Sequence, residues 1–181
     1  MSLKTRIVIA AALLISTASV TPIQPVYAGG SDSCKSHKNG VREEVLIKAP
    51  PKVVWKSMQE QRKMDPDSAY VKPISENGEP VVEQKFVFPS PFGNAECVLH
   101  LNETTAQRVD FKMISSEDLK AMEGSWILTP TDDGQTKLSL STYVEPNMVL
   151  PRMITNGIVS HRSKRNLGMV KKLAESSAKS M

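Results

Sequence analysis

The side chains able to carry chemistry are few. His161 is the one histidine of the C-terminal segment, and a histidine on a cavity-facing register can act as acid or base near neutral pH. Asp65 and Asp67 fall between a short helical segment and the strand that follows, where the ordinary role of aspartate is capping and turn formation. Tyr143 sits in the last strand pattern. Asp65, Tyr143 and His161 are therefore the candidates for catalysis, while no two acids converge on one expected face. His100 lies on the strand face opposite Cys97 and Leu99, and His37 lies in a polar arm. No serine occupies a G-x-S-x-G elbow, and there is no glycine-rich phosphate loop. No C-x-x-C, H-E-x-x-H or clustered His/Cys spacing indicates a metal, so neither metal nor cofactor is expected. The two cysteines, Cys34 and Cys97, admit one disulfide in an exported protein, pinning the arm to the sheet. The alternative is Cys97 as a small buried hydrophobe and Cys34 as a free thiol.

The 181 residues suit one domain once the first 28 are set aside. Lys4 and Arg6 precede an apolar run from Ile7 to Ile15, and Val26-Tyr27-Ala28 ends in the small-residue pattern of a cleavage site. This is the pattern of a secretory signal peptide, and the run is too short to span a bilayer well. Export to the periplasm or beyond is expected, with a mature chain beginning at Gly29. The chain carries 23 basic and 19 acidic residues; without Lys4 and Arg6 the balance is 21 against 19. No global basic field calls for nucleic acid as a partner. The C-terminal segment is locally basic, with HRSKR at 161–165 and KK at 171–172. Such a face is either solvated or drawn to an anionic membrane surface or acidic partner.

The elements that must position these residues are legible as periodicities. The run 150–177 is the long helical pattern, opened by Pro151, whose missing N–H is harmless in a first turn. Leu150, Ile154, Ile158, His161 and Arg165 recur every three or four residues, and Met153, Leu167, Val170 and Ala174 widen the apolar stripe. Residues 29–40 are polar, rich in Gly and Ser, and read as a flexible arm. Val41–Lys48 alternates as a first strand, and Pro51 opens a helix over about 51–60, followed by a second short turn before Asp65-Pro66. Six strands follow over 69–75, 80–88, 95–102, 105–115, 123–129 and 136–144, with Asn77-Gly78 and Asp132-Asp133-Gly134 as hairpin turns. Strands followed by one long helix predict an α+β domain over 41–177, a curved antiparallel sheet wrapped around the C-terminal helix.

This order resembles the START-like helix-grip (SRPBCC) superfamily, which includes polyketide cyclase/dehydrase-like and coenzyme Q-binding proteins. VLIKAPPKVVWKSM at 45–58 looks like its opening strand and helix. GSWILTPTDDGQTKLSLS at 124–141 looks like its late strand pair, and VLPRMITNGIVSHRSKRNLGMVKKLAE at 149–175 like its terminal helix. The resemblance implies about seven strands gripping the last helix around an apolar cavity. It also implies activities ranging from lipid or quinone carriage to cyclase or hydrolase chemistry. Strand parity then gives the cavity wall as Phe86, Phe88, Cys97, Leu99, Phe111, Met113, Trp126, Leu128 and Leu140, closed from the helix by Met153, Ile154 and Ile158. The expected ligand is a small hydrophobic molecule: a lipid, an isoprenoid or quinone, or an aromatic metabolite. The alternatives are a cyclase- or hydrolase-type enzyme using ionisable residues of the same cavity, and a partner-binding domain with a filled core.

Overall fold

The computed structural model describes residues 40–90 and 93–180. The signal segment expected over 1–28, the arm expected over 29–40 save for Gly40, and Cys34 lie outside the described residues. In chain order the elements are β1 (Val41–Ile47), α1 (Pro51–Met64), β2 (Ser68–Glu76), β3 (Glu79–Ser90), β4 (Gly93–Thr104), β5 (Arg108–Ser115), β6 (Leu119–Pro130), β7 (Thr136–Pro146) and α2 (Arg152–Lys179). The strands form a seven-stranded sheet in the order β1-β7-β6-β5-β4-β3-β2, antiparallel at every step. This is the expected α+β helix-grip arrangement, with a long C-terminal helix.

Local chemistry explains the breaks. Asn77 and Gly78 both have positive φ (52° and 85°), as the tight β2–β3 hairpin requires. The helix expected to stop near residue 60 instead runs unbroken to Met64. Val54, Met58 and Gln61 share one buried stripe at helical spacing, and Gln61 carries it past the expected break. The helix ends at Asp65 because a residue before proline is biased away from helical backbone.

Alternation in the strands sends Ala95, Cys97, Leu99 and Leu101 of β4, and Leu138, Leu140 and Thr142 of β7, to buried positions. Of these, Cys97, Leu99, Leu101, Leu138 and Leu140 join Ile47, Val109 and Leu128 of the sheet, Val54, Trp55 and Met58 of α1, and Leu167, Val170 and Ala174 of α2 in one core. Polar clips fix α2 along β1: Ser160 Oγ donates to Glu43 (2.6 Å), Lys171 Nζ donates to the Leu46 carbonyl (2.5 Å), and Glu175 accepts from the Lys48 N–H (3.0 Å).

The apolar stripe expected along the whole of α2 is not one face. Its buried residues are Ser163, Leu167, Val170 and Ala174, whereas Met153, Ile154 and Ile158 are 85%, 50% and 48% exposed. The reason is phase. Ile154 precedes Ser163 by nine residues, which at about 3.6 residues per turn is half a turn out of register. The expected stripe thus joined two arcs on different sides of one helix.

Gly124 of β6 marks a close approach. A Cβ there would stand 2.0 Å from the Ser141 carbonyl oxygen and 2.5 Å from Phe111 Cζ, and Phe111 is its partner across the ladder. Gly124→Ala is expected to destabilise the fold by about 1–3 kcal/mol, since neither backbone nor packed ring can give way freely. Urea unfolding checks this, and an unchanged midpoint would refute the packing described.

Candidate functional site

The space between the sheet's inner face and the N-terminal half of α2 is not filled. A cavity of about 910 Å³ lies there, within the size range of small-molecule sites. The out-of-phase arc of α2 explains it: the side facing the sheet offers Thr155, Arg162, Ser163 and Asn166 where a filled core would need large apolar groups. The core under this half of α2 is therefore not filled.

Of the expected wall, Phe86, Phe88, Leu99, Phe111, Trp126, Leu140 and Ile158 line the cavity. Cys97, Met113, Leu128, Met153 and Ile154 do not. Cys97 is packed beneath the wall against the Met122 sulfur (3.9 Å). Met113 lies beyond Lys112, the last β5 residue paired with β6, and packs at the margin of the core. Leu128 is buried in the core near the far end of β6. Met153 and Ile154 lie on the exposed arc of α2. Gln84, Leu101 and Thr142 also line the cavity; they share strand parity with residues that were named, so alternation alone could have found them. Met122 joins them from β6, and Met58, Gln61 and Arg62 from α1.

Two of the three catalytic candidates, Asp65 and His161, reach the cavity. Tyr143 does not: it lies on the opposite parity of β7 from Leu140 and Thr142, and its hydroxyl donates to Glu145 (3.0 Å). That hydrogen bond, with some desolvation, holds the phenol above its ordinary pKa.

The wall is less apolar than parity implied, and two acids do converge. Asp67 Oδ2 receives Arg162 at 2.9 Å and Arg165 at 2.6 Å, and Arg165 also stands 3.7 Å from Asp65. Asp65, with its side chain only 3% exposed, accepts the Asp67 backbone N–H at 3.1 Å. The Arg162 guanidinium lies 5.3 Å from the Phe86 ring centre and 4.8 Å from that of Phe88, within cation–π range of both. Burial pushes the pKa of Arg162 down, opposed by the charges of Asp67 and Asp65. Arg162 and Arg165 belong to the basic run HRSKR, expected to be solvated or drawn to an anionic surface or acidic partner. Their spacing of three instead sets both over the turn after α1. This end of the cavity is an ion-pair cluster of two acids and two guanidinium groups. On the other side of the sheet, Glu83 receives Lys72, Tyr70 and His100, and these contacts lower its carboxyl to about 2.

Among the described residues Cys97 is a free thiol, and its expected partner Cys34 lies outside them. Burial raises the Cys97 thiol to about 11 from the ordinary 9.0, against the pull of Arg162. At pH 8 this leaves about 100-fold less thiolate than an unperturbed cysteine would have. Labelling of Cys97 by a thiol reagent is expected to be slower by at least that factor in the native protein than in urea. Since the neutral thiol is the buried form, this contribution to stability is complete below pH 9 and fades as pH rises toward 11. Equal native and denatured labelling rates would contradict the burial. Among the described residues no group of three or more His, Cys, Asp and Glu is arranged to hold a metal, and no helix is long and apolar enough to cross a membrane.

No family model matches the sequence, and no curated protein does. Solved structures do. A START superfamily protein from Mycobacterium smegmatis is similar at 11% identity and TM-score 0.59, over 78% of this chain and 97% of that one. The Zhui aromatase/cyclase from Streptomyces sp. R1128 is similar at 15% identity and TM-score 0.56, over 77% and 93%. Ara h 8.0201 is similar at 17% identity and TM-score 0.55, over 76% and 97%. At these identities the likeness speaks for architecture and not for activity. Sheet order, the placement of α2 and the structural matches together show that the chain has the START-like, SRPBCC-type helix-grip fold.

Proposed function

We propose that this protein is an exported carrier or sensor that holds a small, mainly apolar molecule between the sheet and α2. The observation that supports this most is the cavity of about 910 Å³ whose wall includes Phe86, Leu99, Phe111, Trp126 and Leu140. Arg62, Asp65, Asp67, Arg162 and Arg165 of its lining are engaged in ion pairs, and the apolar remainder of the wall favours an apolar body. A lipid, an isoprenoid or quinone, or an aromatic metabolite has the right character. Burying roughly 200–400 Å² of such a ligand would contribute on the order of 5–10 kcal/mol before association costs, enough for micromolar binding.

Export is the part of this reading carried by residues 1–28, through Lys4, Arg6, the apolar run to Ile15 and the Ala28 cleavage pattern. N-terminal sequencing of mature protein should begin near Gly29, and a cytoplasmic protein retaining Met1 would count against it. Delivery from a membrane fits the same picture. Val149, Met153 and Ile154 are exposed next to the cavity-lining Met148, Leu150 and Ile158, and the exposed Arg152 and Lys164 lie on the same stretch. An anionic bilayer would suit such a surface.

A second reading, a cyclase- or hydrolase-type enzyme, is favoured by one observation: Asp65 and His161 line the same cavity. Native mass spectrometry of protein purified from its own host, followed by solvent extraction, separates the two. A carrier yields an apolar molecule that is recovered unchanged after rebinding, while an enzyme returns an altered one. Host-purified protein that holds no apolar molecule and takes none up would dispose of both.

A further inference from the structure

Two polar side-chain atoms of the cavity lining, one on α1 and one on α2, have no hydrogen-bond partner among the described residues. Gln61 is 5% exposed, and its Nε2 has no hydrogen-bond partner among the described residues. Asn166 Oδ1, on α2, is likewise buried and without one. Both side chains line the cavity, and the two helices pack against each other. An unpaired buried donor and an unpaired buried acceptor are each unfavourable, and native interiors rarely keep them. The charged residues around them differ, because they are satisfied: Arg62 by Glu103 at 2.5 Å, Arg162 and Arg165 by Asp67.

We infer that the ligand of this cavity is an apolar molecule bearing an uncharged hydroxyl, which accepts from Gln61 Nε2 and donates to Asn166 Oδ1. The inference rests on the ligand-binding reading and names the class of molecule within it. A hydroxyl is the smallest single group that both accepts and donates. An ether or ketone meets only Gln61. A carboxylate or ammonium would add an unbalanced charge where the existing charges already pair. A long-chain alcohol, a hydroxylated polycyclic molecule or a phenol meets both atoms while its body lies against Phe111, Trp126 and Leu140.

The test uses three probes of one shape, 1-naphthol, 1-methoxynaphthalene and naphthalene, displacing a hydrophobic fluorescent probe from the full chain. The readout is the ratio of naphthol to naphthalene affinity, compared between wild type, Gln61→Met and Asn166→Leu; methoxynaphthalene, which can only accept, should lose affinity in Gln61→Met alone. Asn166 is only half-buried, so Asn166→Leu remains as a folded variant should Gln61→Met fail to fold. The ratio is expected to fall about tenfold or more in each folded variant, because each leaves one hydroxyl contact unmade. An unchanged ratio overturns the hydroxyl assignment while leaving the cavity reading intact; it is also the result expected if the two amides face only water. Failure of all three probes to displace overturns the cavity reading, and this inference with it.

Discussion

Val170→Asp is expected to destabilise the protein by more than about 4 kcal/mol, while Ile154→Asp on the same helix changes stability by less than about 0.5 kcal/mol. Val170 is fully buried, whereas Ile154 is 50% exposed. A carboxylate at 170 would replace a fully buried member of the hydrophobic core and would part α2 from the sheet. A carboxylate at 154 meets solvent. The sequence stripe assigned both residues to one apolar face, so the pair of variants separates the structure from that simpler pattern. Thermal or urea unfolding of both decides it, and equal losses would mean that the helix is rotated from the position described.

Asp67→Ala is the next largest expected effect, a loss of about 2–4 kcal/mol. The side chains of Asp67 and Arg162 are only 13% and 23% exposed, and Asp67 also receives Arg165. Truncating it leaves two guanidinium groups facing Asp65 alone, one of them over Phe86 and Phe88 at the edge of an apolar cavity. The figure is set below that for a fully buried pair because solvent reaches Arg165. The double variant Asp67→Ala with Arg162→Leu should regain more than about 1 kcal/mol over the sum of the single losses, since it removes the orphaned charge. Strict additivity in that cycle would show that the two side chains do not interact.

Much of the fold was legible because its signals are local. Period-two alternation gave the buried faces of β4 and β7 with Leu99, Leu101, Leu140 and Thr142 in phase, and Asn77-Gly78 gave a hairpin turn. The helix was harder. Apolar residues at 154 and 158 and at 167, 170 and 174 each have helical spacing, but a pattern of threes and fours hides a phase drift, which only packing against β1 and α1 exposes. The site was legible where it is made of strands and obscure where it is made of charges. Nothing local to HRSKR says that Arg162 turns inward, because its partner Asp67 lies far back in the chain, after α1. Gln61 and Asn166 were silent for the same reason: an amide in a polar helix is unremarkable until its surroundings are known to be closed.

The central claim is that the space under α2 receives an apolar molecule, and filling that space tests it most directly. Thr142 is 7% exposed and points from β7 into the cavity, and Ala95 does the same from β4 at 3%. N-phenyl-1-naphthylamine titrated into the wild-type protein should show saturable, single-site, micromolar binding. Thr142→Trp and Ala95→Phe, each shown by circular dichroism to keep the sheet, should weaken it at least about tenfold by occupying the ligand's volume. Saturable binding that persists unchanged in both folded variants, or no saturable binding by the wild type, would contradict a ligand site between the sheet and α2.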